Sequence, residues 1–294
     1  MDTEKCAALL CALETGSLSA AAEKCGYTVS GMSRLVLSLE EETGFRLLRR
    51  SRSGVEPTRE CELLLPCLRE LSRWGEQYRQ TAEDLRGLET GRVRVGMSYP
   101  AYYGALAEAV SIFTGSHPGI EIELTEAHSS ALARMLERGE ADLCIMSRRG
   151  VSCDWTPLAR DSLAVWLPAG HPLARLERYP AGALSGEAYI DISPGEDTDN
   201  ARFLAERGIS VHTRGTTSDI YGALSLVGAG LGVALVNSLL ARDVDTNGRA
   251  VLRPLDPPYE VEIGAAAQPR AALSPAARRS PSSPWTTAPT TAKS

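Results

Sequence analysis

TGSLSAAAEKCGYTVSGMSRLVLSLEEE, residues 15–42, is the stretch whose reading decides the fold. Two short apolar-periodic segments, Leu18–Cys25 and residues 29–39, meet at Gly26, Tyr27 and Thr28. Glycine permits a tight turn there, and the Thr28 hydroxyl can cap the second helix. Small Ala22 stands where two helices must approach closely, Gly26 falls in the turn, and Met32 falls on the buried side of the second helix. The pattern predicts a helix-turn-helix. Its second helix offers Thr28, Val29, Ser30, Ser33 and Arg34 to the outside, and Ser17 and Ser19 stand at the start of the first. Hydroxyls can bond phosphates or base edges, and Arg34 can take a phosphate or a guanine edge bidentately. An ordinary two-helix hairpin, with hydroxyls as caps and a solvated arginine, is the alternative that Ala22, Gly26 and Met32 leave open.

Upstream, residues 3–15 carry one apolar stripe through Ala7, Leu10, Cys11 and Leu13 and predict a supporting helix. Downstream, residues 45–50 and 54–57 flank Ser51, Arg52 and Ser53 and read as a small hairpin. This wing would set Arg49, Arg50 and Arg52 against a minor groove or its flanking phosphates. From 58 to 88 the pattern is one long helix. Leu64, Leu68, Leu71, Gly75, Tyr78, Ala82 and Leu85 follow the spacing of a coiled-coil seam, which needs a partner. Pro66 should bend this helix and Gly75 should weaken the seam. A single amphipathic helix packed on its own domain is the other reading.

Residues 14–23 (ETGSLSAAAE), 30–34 (SGMSR) and 39–44 (LEEETG) resemble the amino-terminal domain of LysR-type transcriptional regulators. The likeness continues to about residue 280 through 91–96 (GRVRVG), 117–124 (HPGIEIEL), 139–145 (GEADLCI), 171–174 (HPLA) and 227–235 (VGAGLGVAL). Some positions depart from the family pattern: Val29 replaces a usual polar residue, Gly31 a usual alanine, and residues 57–61 (PTREC) stand where the family usually has Leu-Thr-x-Ala-Gly. The resemblance implies a mostly α winged helix-turn-helix over 1–57, a linker helix over 58–88, and an α/β effector domain over 89–268. That domain would have two lobes like those of periplasmic solute-binding proteins, lobe I about 92–161 and 261–268, lobe II about 162–260. It also implies that linker helices pair between subunits of a homodimer or homotetramer, placing reading helices on the half-sites of a near-palindrome in double-stranded DNA.

Local patterning in the effector half points to α/β structure as well. Candidate strands 92–97, 120–125 and 141–146 alternate with candidate helices 101–114 and 130–138, a pattern of parallel α/β structure. Ligands in such lobes sit at strand carboxyl ends and the helix starts facing them. Those ends hold Ser98, Tyr99, Ser147, Arg148, Asp191, Ser193, Thr216 and Thr217, of which the hydroxyls and Arg148, with backbone amides, suit a small carboxylate. The same hydroxyls also serve as helix caps. Gly228, Gly230 and Gly232 follow a helix and lead into a strand, the reverse of a dinucleotide cradle, and read as a helix stop.

The 294 residues, 43% hydrophobic, suffice for several packed lobes. A net charge of -6 argues against a nonspecific nucleic-acid coat, so DNA contact must come from a local basic surface. The start, MDTEKCAALLCALE, lacks the basic-then-apolar order of a secretory signal, and no apolar run reaches the ~20 residues of a membrane span. Seven cysteines without Cys-x-x-Cys suggest reduced thiols and a cytoplasmic protein, with Cys144 and Cys153 a candidate redox pair. The four histidines are isolated, and no nucleophile elbow, metal-helix or Walker motif is present. The expectation is a regulator with no metal, no cofactor and no catalysis. A solute receptor and an enzyme on the two-lobed fold are the competing classes. Residues 269–294, rich in Ala, Pro, Ser and Thr, read as a disordered tail.

Overall fold

The computed structural model describes residues 2–51, 54–86, 90–269, 273 and 276–277. Its first helix, α1 (Thr3–Thr15), is capped by the Asp2 carboxylate and stops at Gly16 in the left-handed conformation. Next come α2 (Leu18–Cys25) and α3 (Val29–Thr43), the latter running one turn past the expected end. Ala21, Ala22 and Met32 are buried together against Ala8, Cys11 and Ala12 of α1. Gly26 has φ +71°, and its amide donates to the Ala22 and Glu23 carbonyls, so a side chain there would cost about 1–2 kcal/mol. Thr28 caps α3, its hydroxyl accepting the Gly31 amide at 3.0 Å. The expected corner is present in full.

The wing is the antiparallel pair β1 (Leu48–Ser51) and β2 (Gly54–Pro57), with Arg49 opposite Glu56. Arg52 lies outside the described residues, as does the Arg50 side chain. Glu40 anchors this hairpin: although buried, its Oε1 accepts the Leu47 amide at 2.7 Å and the Leu48 amide at 3.1 Å. Those two bonds satisfy a carboxylate that would otherwise be costly to bury.

The long helix α4 (Arg59–Leu85) continues through Pro66. Here the seam reading requires correction. Leu68 is 2% exposed, and Leu64 and Leu71 pack with it against Cys6, Leu9, Val36 and Leu39 of the same chain. Leu68 is therefore spent on the protomer's own core, because α1 crosses there, while Leu64 and Leu71 are half-buried. Gly75 lies at that crossing: a Cβ there would stand 2.4 Å from the Thr3 Oγ1. Its role is to let α1 approach, not to loosen a partner seam. Leu63, Trp74 and Tyr78 remain exposed on α4, so Tyr78 alone of the expected seam residues is seen facing outward, the Leu85 side chain being outside the description.

Beyond α4 the chain alternates β3 (Gly91–Met97), α5 (Tyr103–Ser116), β4 (Ile120–Glu126), α6 (Ser129–Glu137) and β5 (Leu143–Ser147). β4, β3 and β5 are parallel neighbours, as alternation predicts. The strand β6 (Asp154–Pro168) then leaves this lobe for the second, which holds β7 (Tyr179–Pro180), β8 (Ala188–Ile192), α7 (Asp199–Glu206), β9 (His212–Thr217), α8 (Ile220–Gly228), β10 (Ala234–Asn237), α9 (Ser238–Ala241) and β11 (Ala250–Asp256). Finally β12 (Glu260–Ala267) returns, running antiparallel to β6 from Glu260 opposite Ser162 to Ala267 opposite Asp154, and pairing on its other side with β5. The later part of β6 pairs antiparallel with β10 and β11. Two adjacent strands thus carry the chain between lobes.

Each lobe has its own core. Val93, Val95, Met97, Leu106, Phe113 and Ile263 fill the first, and Leu163, Val165, Leu167, Tyr179, Phe203 and Val261 fill the second. Ala276 and Ala277, in the stretch expected to be a disordered tail, are buried in the first core, a correction to that expectation at these two positions. The small apolar side chains fit where the chain comes back onto α5 and β3. Most of the remaining tail lies outside the described residues.

Candidate nucleic-acid interface and interlobe site

The buried Met32 fixes which side of α3 faces out. Thr28, Val29, Ser30 and Arg34 are exposed and Ser33 is half-buried, with Val29 50% exposed. Thr28 spends its hydroxyl on the cap and on Ser30 Oγ at 3.1 Å. Ser17 likewise caps α2 by accepting from Ala20 at 3.4 Å, while Ser19 is exposed. Among the described residues Arg34 makes no ion pair or hydrogen bond, so its guanidinium is available to an outside anion. Arg49, by contrast, pairs across the wing with Glu56 at 3.1 Å and stays largely exposed. Arg46 pairs with Glu40 at 3.3 Å. The result is an exposed helix edge carrying hydroxyls and, among the described residues, the unpaired Arg34, with the Arg49 hairpin following it in the chain.

The second site lies where strand ends and helix starts of the two lobes meet. Asp199, first residue of α7 in lobe II, reaches lobe I: its Oδ2 accepts the Tyr99 hydroxyl at 2.7 Å and its Oδ1 accepts Ser147 Oγ at 2.8 Å and Arg149 Nη2 at 2.9 Å. Asn237, at the end of β10, donates to the Tyr99 oxygen at 3.2 Å. Arg149 also donates to Ser147 Oγ and Ser130 Oγ. Ser130 bonds Asp197 at 2.8 Å, and Asp197 is held bidentately by Arg202 at 2.7 Å. Ser129 bridges Ser98 Oγ and the Ser147 amide, both at 3.0 Å.

The electrostatics follow from burial and partners. Burial, and then the Asp199 charge, push the Tyr99 phenol well above its usual value, so it stays a hydrogen-bond donor. The hydrogen bonds from Arg202 hold the Asp197 carboxyl down at about 2. Asp161, where β6 passes between lobes, has Oδ1 accepting the Ser162 and Leu239 amides, while its buried Oδ2 makes no close hydrogen bond among the described residues. Burial raises its carboxyl above the usual range.

Of the expected effector residues, Ser98, Tyr99 and Ser147 join this network. Arg148 does not, and its assignment as a carboxylate anchor is corrected. The Arg148 amide continues the pairing with Glu262, and alternation sends residues 147 and 149 to the cleft and 148 outward. There its guanidinium meets Glu262 at 2.9 Å and lies over the Trp155 ring at 5.4 Å. Asp191, Ser193, Thr216 and Thr217 gather at the ends of β8 and β9 instead: the Ser193 amide donates to the Thr217 carbonyl at 2.7 Å, and the Thr217 hydroxyl serves the start of α8. Thr216 is exposed, and burial raises the half-buried Asp191 carboxyl. Sequence reasoning missed Ser129, Ser130, Arg149, Asp197, Asp199 and Asn237. Two signals pointed to them: Ser129-Ser130 and Thr198-Asp199 both open helices facing strand ends, where N-terminal amides and short polar side chains collect.

Comparison with known proteins assigns both halves of the chain. Residues 4–62 match the family described as bacterial regulatory helix-turn-helix protein, lysR family, and residues 86–280 match the LysR substrate binding domain. Similar relatives include the uncharacterized HTH-type transcriptional regulator YvbU of Bacillus subtilis, 25% identical with 83% of this chain and 84% of that protein covered. The regulatory protein NocR of Agrobacterium tumefaciens is 28% identical, with 85% of each chain covered. Among solved structures, a full-length OxyR variant from Pseudomonas aeruginosa has the same fold at TM-score 0.67 and 21% identity, over 95% of both chains. The carboxyl-terminal domain of a probable LysR family regulator from Rhodococcus sp. RHA1 matches at TM-score 0.52 and 27% identity, over 65% of this chain and 97% of that one. With helix corner, wing, two-lobed cleft and both family matches in register, the chain belongs to the LysR family, as a DNA-binding transcriptional regulator with an effector-binding domain.

Proposed function

We propose that the chain works as a homodimer, or a pair of dimers, joined through the exposed face of α4, and that it reads near-palindromic DNA with α3. The observation that carries this reading is the exposed edge of α3 above a buried corner, with Arg34 unpaired among the described residues. Thr28, Ser30, Ser33 and Arg34 would contact phosphates and base edges, with Ser17, Ser19 and the wing arginines Arg49, Arg50 and Arg52 on flanking backbone. Val29 suits an apolar contact such as a thymine methyl.

The effector enters between the lobes. Its place is set by Ser98, Tyr99, Ser129, Ser130, Ser147 and Arg149 of lobe I against Asp199 and Asn237 of lobe II. A small carboxylate would compete with Asp199 for Arg149 and Ser147, and exchanging those bonds moves one lobe relative to the other. Only such differential contact can shift the subunits between two arrangements. The named relatives are regulators, which supports a binding role rather than catalysis. No described helix is long and apolar enough to cross a membrane. We place the protein in the cytoplasm, where its DNA is.

The test is a gel shift of the full chain on duplex from its own upstream region, at two salt concentrations. Specific binding that weakens steeply with salt is expected, since each phosphate contact adds about 0.9 to the logarithmic slope. No preference over unrelated duplex, from protein that stays monomeric, would sink the reading.

A further inference from the structure

The reading head carries a pair of thiols that its DNA-binding role does not use. Cys11 lies on the buried side of α1 and Cys25 is the last residue of α2, exposed, one position before the turn at Gly26. Their Sγ atoms stand 2.9 Å apart, within about 1 Å of the covalent S–S length. The helices hold this approach without the bond: Ala21 and Ala22 pack on Ala8 and Ala12 beside it, and Cys11 Sγ also faces the Ala21 carbonyl at 3.8 Å. We infer that Cys11 and Cys25 form a redox-modification site, a dithiol that a small soluble disulfide converts to an intramolecular disulfide tying α1 to the end of α2.

The chemistry is thiol–disulfide exchange. Cys25 Sγ, the exposed sulfur, gives up its proton and attacks one sulfur of glutathione disulfide; the S–S bond breaks, one glutathione leaves as its thiolate and takes up the proton, and a Cys25–glutathione mixed disulfide remains. Cys11 Sγ then gives up its proton and attacks the Cys25 sulfur, expelling the second glutathione. The protein loses two protons and two electrons, and the oxidant gains them as two thiols. The order follows from the sites: burial, and then the bond with Cys25, push the Cys11 thiol up to about 12, so Cys11 acts only once its neighbour has been activated. The two cysteines singled out in sequence lack this arrangement. Cys144 is fully buried, burial pushes its thiol up to about 12, and its sulfur faces the Leu132 carbonyl.

The linkage would fix the tail of α2 against α1 and so hold Gly26, Tyr27 and the Thr28 cap in place. It leaves the outer edge of α3 uncovered. An oxidised head should therefore resist local opening while keeping its DNA-facing side.

The test uses the full chain as Cys67→Ser, which removes the exposed thiol on α4, treated with glutathione disulfide and read by intact and peptide mass spectrometry. The expected product is lighter by two hydrogens, contains a Cys11–Cys25 linked peptide, and reverts with dithiothreitol. Its α1 and α2 amides should exchange at least several-fold more slowly than those of the reduced form. Adding Cys25→Ser should abolish the product, and adding Cys11→Ser should stop the reaction at the mixed disulfide. The inference is overturned if the Cys67→Ser protein itself stops at a glutathione adduct on Cys25, if the linkage joins other cysteines, or if neither change occurs.

Discussion

Arg149 of lobe I and Asp199 of lobe II form an ion pair across the cleft, Nη2 to Oδ1 2.9 Å, with side chains only 6% and 10% exposed. The protein thus supplies its own carboxylate where sequence reasoning expected a ligand's. Breaking a buried pair by removing one partner strands the other charge and costs about 3–5 kcal/mol, whereas replacing both by apolar residues often costs little. Asp199→Ala should therefore destabilise the effector domain by about that much, and Arg149→Met combined with Asp199→Leu by less than either single change. Urea unfolding of the wild type, Arg149→Met, Asp199→Leu and the double variant gives the cycle, with Asp199→Ala beside it. A loss under about 1 kcal/mol for Asp199→Ala would mean the pair is solvated and the cleft open.

Asp161 should make stability depend on pH in a defined direction. Burial raises its carboxyl in the folded state, so between the unfolded value and the raised one the native protein binds more protons than the unfolded chain. Stability from this group is present below that window and is lost as pH rises through it. Asn at 161 keeps an oxygen for the Ser162 and Leu239 amides without the charge. The stability of Asp161→Asn relative to wild type should rise as pH increases from about 4 towards neutrality, then level off. Paired chemical denaturations across that range read it. A flat difference would show that Asp161 is solvated.

Agreement and disagreement between sequence and fold have different physical origins. The corner at Ala22, Gly26 and Met32 was legible because each position obeys a local rule: small where helices touch, left-handed at the turn, apolar at helical spacing. The α4 seam misled because periodicity reports that a face is buried, not what buries it. Leu64, Leu68 and Leu71 satisfy the spacing while packing on α1. At the cleft, strand ends located Ser98, Tyr99 and Ser147. The partner Asp199 could not be read because it arrives from the other lobe, a long-range contact with no local signature. Arg148 and Arg149 differ only in strand phase, which depends on where β5 hands over to its loop.

Arg34 and Arg49 should separate on the DNA. Arg34 has no intramolecular partner among the described residues, whereas Arg49 must first leave Glu56. Arg34→Ala should weaken binding to the preferred duplex by about 1–3 kcal/mol and relax the base preference at its contact. Arg49→Ala should cost less and weaken all duplexes alike, with a shallower salt dependence. Fluorescence anisotropy on matched and scrambled duplexes distinguishes them, with circular dichroism confirming that both variants fold. Equal, sequence-independent losses would place Arg34 on phosphate alone.

Leu68 and Tyr78 lie on the same helix yet should fail in different ways. Leu68 fills the head's core and Tyr78 is 75% exposed. Truncating Leu68 to Ala removes packing on Cys6, Leu9 and Leu39 and should cost about 2–5 kcal/mol of head stability. Tyr78→Glu leaves that core intact but places a charge beside Trp74, on the face that α4 leaves uncovered. If two copies join there, desolvating that charge opposes association, and the variant should sediment as a folded monomer where the wild type is a dimer. Sedimentation velocity beside a thermal melt reads both outcomes. A dimer undisturbed by Tyr78→Glu would move the subunit contact off this face of α4, and with it the spacing of the two reading helices.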